Sequence, residues 1–285
     1  MGITYHIIEN EFQRDQTSAY KLSILAGMDS LVYAVYHGDS NKLLLLKTVD
    51  LKNDNGSSTD YSARLDDACG REDVLNPVYG QVKIAFLEPA TSLIPSRLFN
   101  EEEKKTYLEV LITEEKSSDV FADDLASLKI RPVYPLTKDL TTVLDDRFPN
   151  NRVFSAATPF LAGTYHSIPE GVDEAAFACF QKNSFQLALF SNGELLFYNN
   201  FKCKSASDVL YFILLAFEQN SLDPNRTPLF LTGHVVTDSE IYKLLYRYIA
   251  ELKFLDLPSF FEIGKSAESF DPNFFFPLHS LLLCE

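Results

Sequence analysis

The residues able to do chemistry are scattered along this chain in patterns that stop short of complete catalytic arrangements. The five histidines, His6, His37, His166, His234 and His279, show no H-E-x-x-H spacing. The four cysteines, Cys69, Cys179, Cys203 and Cys284, form no C-x-x-C and have no histidine at metal-ligand spacing, so they read as buried free thiols. None of the 11 glycines belongs to a G-x-G, which removes dinucleotide loops, and no G-x-S-x-G elbow offers a serine nucleophile. Asn53, Asn55 and Gly56 resemble the middle of a calcium loop, yet its first and last ligand positions fall on Leu51 and Ser62. No metal site and no catalytic residue is assigned. What remains is a set of turns that carry polar groups at strand ends: Gly27, Asp29 and Ser30; Lys182, Asn183 and Ser184; Thr232, Gly233 and His234.

The elements that must hold these turns follow from hydrophobic period and turn chemistry. Lys21–Ala26, Leu31–His37 and Leu43–Val49 read as an antiparallel strand meander with short polar turns. A polar loop over Lys52–Asp60 is followed by a weak helical pattern over Tyr61–Tyr79 and a strand at Gln81–Leu87. Ser96–Leu111 is expected as a helix, with Asn100 as a cap and Glu101–Glu103 in its first turn, where the helix dipole favours acids. Short strands within Val120–Leu136, a helix over Thr137–Phe148, a strand at Asn150–Ala156 and a helix at Pro159–His166 complete the first half.

The second half opens with the same texture. Glu174–Phe180, Phe185–Phe190 and Glu194–Phe201 form a second meander, with Asn192–Gly193 as a hairpin turn. A strongly apolar helix over Ala206–Asn220 follows, then a strand at Pro228–Leu231. A helix over Thr237–Glu251 is expected with Thr237 as cap, then a strand at Phe254–Leu257 and a short helix at Pro277–Cys284. At an offset of about 154 residues the two meanders superpose: Asp29–Ser30–Leu31 meets Asn183–Ser184–Phe185, and Ala34–Val35 meets Ala188–Leu189. After a second turn two residues shorter, Leu43–Leu45 meets Leu195–Phe197.

A strand meander followed by α-β-α, present twice, is the plan of a duplicated ribonuclease-H-like α/β fold, the fold of actin-like ATPases. The chain resembles a Bacteroidetes family defined only as a domain of unknown function, whose members have an actin-like ATPase fold. The residues that carry the resemblance are the first meander Leu22–Leu51, the stretch Ala90–Phe99, the segment Ser155–Leu161 and the ending Leu281–Glu285. The layout also resembles the actin-like proteins of type IV pilus and type II secretion assembly. The expected domains are residues 1–170, with an inserted subdomain near 112–150, and residues 171–285.

That resemblance implies a nucleotide site in which each meander's first hairpin cradles phosphate and a carboxylate of an Asp-x-Gly orients metal and water. In the first hairpin the pattern falls on Leu25–Ala26–Gly27, so the glycine is kept and the acid is lost, with Asp29 nearby in the turn. In the second it falls near Phe180–Gln181–Lys182, which has neither acid nor glycine. The adenosine turn falls on Thr232–Gly233–His234, with one glycine kept and His234 at the second. A degenerate site is therefore expected, with no cofactor. ATP with Mg²⁺ stands as the alternative, Lys182 then being a phosphate contact, and a small ligand in the cleft as a third reading.

Lys plus Arg is 25 and Asp plus Glu is 40, a net charge of −15 that disfavours nucleic acid as a partner. No apolar run approaches the roughly 20 residues of a membrane span, and Met1–Phe12 has no basic region ahead of an apolar core, so a cytoplasmic protein is expected. The chain has 23 Phe, 14 Tyr and no Trp, and the run Phe274–Phe275–Phe276 is a candidate exposed patch for docking a protein partner. The resulting expectation is a non-catalytic scaffold or interaction module; the sequence sets no oligomeric state.

Overall fold

The structure, a computed structural model, describes residues 5–51, 60–87, 90–109, 111, 118–256, 259–264 and 271–285. The chain divides into two compact units. The first comprises Met1–Pro159, Ser259–Phe270 and Pro277–Glu285; the second comprises Phe160–Pro258 and Asp271–Phe276.

The first unit is built on β1 (His6–Ile8), β2 (Tyr20–Ala26), β3 (Ser30–His37), β4 (Leu43–Asp50), β5 (Gln81–Phe86) and β9 (Asn151–Ser155), in the order β1-β4-β3-β2-β5-β9. β2 and β3 are antiparallel, whereas β5 and β9 add in parallel beyond β2. α1 (Tyr61–Arg71), capped by Asp60, and α2 (Lys138–Arg147) are joined by the Arg147–Asp66 ion pair. The core gathers Leu22, Ile24, Tyr33, Val35, Leu65, Ile84 and Leu140. Tyr33 Oη donates to Glu72 Oε2 at 2.8 Å, and Lys47 Nζ reaches the same oxygen at 2.6 Å. Tyr33→Phe should therefore cost about 1 kcal/mol in denaturant unfolding, since the Glu72 oxygen keeps one donor.

A smaller sheet belongs to the same unit: β6 (Ser92–Pro95), β7 (Ser118–Ala122) and β8 (Ile130–Thr137), ordered β6-β8-β7. The insertion thus begins near residue 92 and ends at β8, ahead of the expected 112–150, because β6 is a strand paired with β8. Between β6 and β7 the expected Ser96–Leu111 helix is three separate 3₁₀ turns, Ser96–Leu98, Glu101–Glu103 and Thr106–Leu108. Asn100 does cap, accepting from Glu102 N at 3.1 Å with the extended backbone usual for an N-cap, but the turn it caps spans only Glu101–Glu103. Its own N–H bonds to Tyr107 Oη, which in turn donates to Leu98 O, so the loop closes on a side chain in place of a continuous helical ladder.

The second unit repeats the larger sheet. β10 (Glu174–Phe180), β11 (Ser184–Ser191), β12 (Glu194–Lys202), β13 (Leu229–Gly233) and β14 (Leu252–Phe254) run in the order β12-β11-β10-β13-β14, matching β4-β3-β2-β5-β9. The pairs Ala26↔Leu31 and Phe180↔Phe185 lie 154 residues apart. The register shifts match as well, between Val35 and Tyr36 and between Leu189 and Phe190. Asn192 and Gly193, both at positive φ, make the tight turn between β11 and β12.

The remaining helices are α3 (Ala157–His166), α4 (Ala206–Gln219), α5 (Glu240–Leu245) and α6 (Phe276–Ser280). The boundary between units falls inside α3, before Phe160, whose ring lies 6.2 Å from that of Tyr198; the expected boundary stood at 170. α4 carries a capping box between Ser205 and Asp208 and buries Val209, Ile213 and Phe217 on Leu187, Leu189 and Leu231. α5 is shorter than expected and is capped by Ser239, which accepts from Tyr242 N at 3.2 Å. The final helix is likewise divided, α6 being followed by a 3₁₀ turn at Leu281–Leu283. Leu257 lies outside the described residues, as do Asn53, Asn55 and Gly56.

Candidate functional site

In the first unit Gly27, Asp29 and Ser30 share the turn between β2 and β3. Gly27 N donates to Ser30 O at 2.9 Å and Leu51 N to Asp29 O at 2.9 Å. Gly27 is buried, while Asp29 and Ser30 are exposed. Leu25, where a metal-orienting carboxylate would stand, is 7% exposed and apolar.

In the second unit Gln181 N donates to Ser184 O at 2.8 Å and Cys203 N to Asn183 O at 3.0 Å. These two bonds repeat those of the first turn, so the counterpart of Leu25–Ala26–Gly27 is Cys179–Phe180–Gln181. The expected placement near Phe180–Gln181–Lys182 was displaced by one residue, because no glycine marks the position of Gln181. The acid position is then Cys179, a thiol that burial pushes up to about 12 and that stays neutral. Lys182 and Asn183 are exposed at the tip of the turn.

The structure brings Thr232, Gly233 and His234 to the same sheet end, since Phe180 pairs with Gly233 and His234 N donates to Phe180 O at 2.8 Å. Gly233 has φ +79°, and a Cβ there would stand 2.6 Å from Phe180 N and closer still to Phe180 O. The turn's polar groups are engaged by the chain itself. Thr232 Oγ1 donates to Asn273 O at 2.7 Å, and Asn273 Nδ2 reaches Leu255 O at 2.5 Å. The rings of Phe274 and Phe275 lie 5.8 and 6.1 Å from His234. Asp271–Phe276 therefore lies against the Thr232–His234 turn. Phe275 and Phe276 are buried and Phe274 is half-buried, so the expected exposed aromatic patch is absent; these rings fill interior space.

A second cluster, in the first unit, was invisible from the sequence. Asp123, which is buried, accepts from Ser155 N at 3.1 Å, from Thr158 Oγ1 and from Tyr134 Oη at 2.9 Å. Thr91 Oγ1 and Ser155 Oγ are 2.7 Å apart. Burial raises the Asp123 carboxyl to about 7 against the three hydrogen bonds that favour its ionised form. Cys284 is close enough to feel the Asp123 charge, and its thiol is pushed up to about 12 by burial. Lys83, also buried, donates Nζ to Cys284 O, and burial lowers its pKa below the ordinary lysine value. Three of the segments that carry the family resemblance, around Thr91, Ser155–Thr158 and Cys284, thus meet at one buried polar knot. Among the described residues no group of three or more His, Cys, Asp or Glu side chains could hold a metal ion.

The family model described as "Protein of unknown function (DUF3822)" matches residues 9–252. A Bacteroides thetaiotaomicron VPI-5482 protein with an actin-like ATPase fold and unknown function is 22% identical, with 97% of this chain and 100% of that one covered, at a TM-score of 0.79. A chain of the PilM-PilN type IV pilus biogenesis complex is 13% identical, with 92% and 98% covered, at a TM-score of 0.58. No curated protein sequence matches the chain. The fold is that of actin-like ATPases, as expected.

Proposed function

The chain belongs to the DUF3822 family, and from that premise we propose that it is a non-catalytic protein of the actin-like fold that works by docking a protein partner. The observation that carries this reading is the self-occupied turn of the second unit, where Asn273 takes the Thr232 hydroxyl and Phe274 and Phe275 flank His234. Leu25 and Cys179 at the two acid positions support it, since neither a buried alkyl chain nor a neutral thiol organises Mg²⁺ and an attacking water. The PilM-PilN complex, a fold neighbour found in an assembly, supports docking as the reading. The −15 net charge argues against a nucleic-acid partner. Among the described residues no helix is long and apolar enough to cross a membrane, which fits a cytoplasmic setting.

A thermal-shift titration with Mg-ATP and with ADP tests the reading. Any ligand that binds the native state alone raises its melting temperature, by about 2.7 kcal/mol of stability at a hundredfold excess over Kd. The expected result is an unchanged Tm at millimolar nucleotide. A clear rise would replace the docking reading with nucleotide binding.

A further inference from the structure

We infer that the outer edge of β12 is a self-association surface, which takes the β12 strand of a second copy in antiparallel register centred on Tyr198. The chain itself shows how such an edge is used. β4, the counterpart of β12, pairs with β1 on its outer side: Ile7 faces Leu46, Glu9 N donates to Leu44 O at 2.8 Å and Thr48 N to Tyr5 O at 3.0 Å. The hydrogen bonds Leu51 N to Asp29 O and Cys203 N to Asn183 O align β4 with β12, so Leu44, Leu46 and Thr48 correspond to Leu196, Tyr198 and Asn200. The two strands carry the same bulge, which in β4 leaves Leu44 O in place to receive Glu9. Among the described residues β12 pairs with β11 alone.

The outward positions of β12 are arranged symmetrically. In an antiparallel pair centred on Tyr198, Leu196 meets Asn200 of the second copy, Tyr198 meets its own counterpart and Asn200 meets Leu196, so these three outward positions pair with one another. The Asn200 N–H, which on β4 would be given to another strand, is held by the neighbouring Asn199 Oδ1 at 2.9 Å; pairing exchanges this local bond for one between strands. Charge favours a second copy as the occupant. β12 begins at Glu194 and ends at Lys202 with no charged residue between them, so antiparallel copies bring each Glu194 to the end where the other's Lys202 lies. Edge strands avoid pairing through internal charges, proline or bulges; β12 has no charge or proline between its two ends, and its bulge is the one β4 carries while pairing with β1. Leu196, 44% exposed, adds apolar surface at the edge.

Sedimentation velocity of the full chain over a concentration series is the test. The wild type is expected to show a monomer–dimer equilibrium. Leu196→Lys, which places a charge on the edge, and Asn200→Pro, which removes an outward N–H without touching the β11 ladder, should each raise the dimer Kd by about tenfold or more. Both should keep the wild-type circular dichroism spectrum and Tm. A wild type that is monomeric at concentrations on the order of 100 µM, or a dimer that persists unchanged in the folded variants, overturns the inference.

Discussion

Asp123→Asn is expected to abolish a fall in stability that the wild-type protein undergoes between about pH 4 and pH 7. The Asp123 carboxyl is raised to about 7 in the folded chain from an ordinary value of 3.8. In that window the unfolded chain carries an ionised carboxylate and the folded chain a protonated one, so folding takes up a proton. Stability from this group is therefore greatest below about pH 4, declines as pH rises, and is level above about pH 7, a change on the order of 4 kcal/mol.

The geometry explains why the neutral form fits. Tyr134 Oη lies 2.9 Å from both Asp123 Oδ1 and Val153 O and has one proton to give. A protonated Asp123 donates to Tyr134 and releases the phenol proton to Val153 O; an asparagine amide at the same place does likewise. Its oxygen still accepts from Ser155 N and Thr158 Oγ1. The other groups near the site are Cys284, with its thiol held neutral by burial, and Lys83 beyond it on the Cys284 carbonyl. Urea unfolding at several pH values gives the difference between variant and wild type, which cancels the titration of other carboxylates. That difference should favour the variant progressively above pH 4 and level off near neutrality. Parallel curves would mean that Asp123 is ionised throughout.

Gly233→Ala is expected to destabilise the second unit by about 2–4 kcal/mol, through a left-handed backbone and through contact with the neighbouring strand. The methyl cannot find room by moving a flexible side chain, because its obstacles are the backbone nitrogen and oxygen of Phe180. β13 must then separate from β10 at their shared end, which also breaks the His234 N to Phe180 O bond. Calorimetry should show a lower Tm. In hydrogen exchange the amides of Leu231–His234 should lose protection while those of β2 and β3 keep theirs. An alanine variant as stable as the wild type would contradict the close approach.

The duplication was legible because its markers are local. Polar turns interrupt apolar runs at the same intervals in both halves, and the pairings Ala26↔Leu31 and Phe180↔Phe185 reproduce the 154-residue offset. The 3₁₀ segments were not legible, since Tyr107 Oη competes with the helix only after the loop has closed. The strand β1 was missed for a related reason: His6–Ile8 is short, and its strand character comes entirely from the β4 edge it covers. Asp123 lies 32 residues from Ser155 and 35 from Thr158, beyond the reach of any periodicity. The aromatic run Phe274–Phe276 was legible as apolar but not as interior, because composition does not say which side of a surface a ring occupies.

The return of Pro277–Glu285 to the first unit has a consequence for how the protein is made. Tyr36 and His279, whose Oη and Nδ1 are 2.5 Å apart, are separated by 243 positions, and Lys83 is separated from its Cys284 acceptor by 201. On the ribosome, residues 277–285 emerge after the whole of the second unit. The unit begun first is therefore finished last, and until then the Lys83 ammonium must keep its water. A chain that stops before Pro277 would hold every residue of the second unit, while Tyr36 and Lys83 of the first would lack these partners.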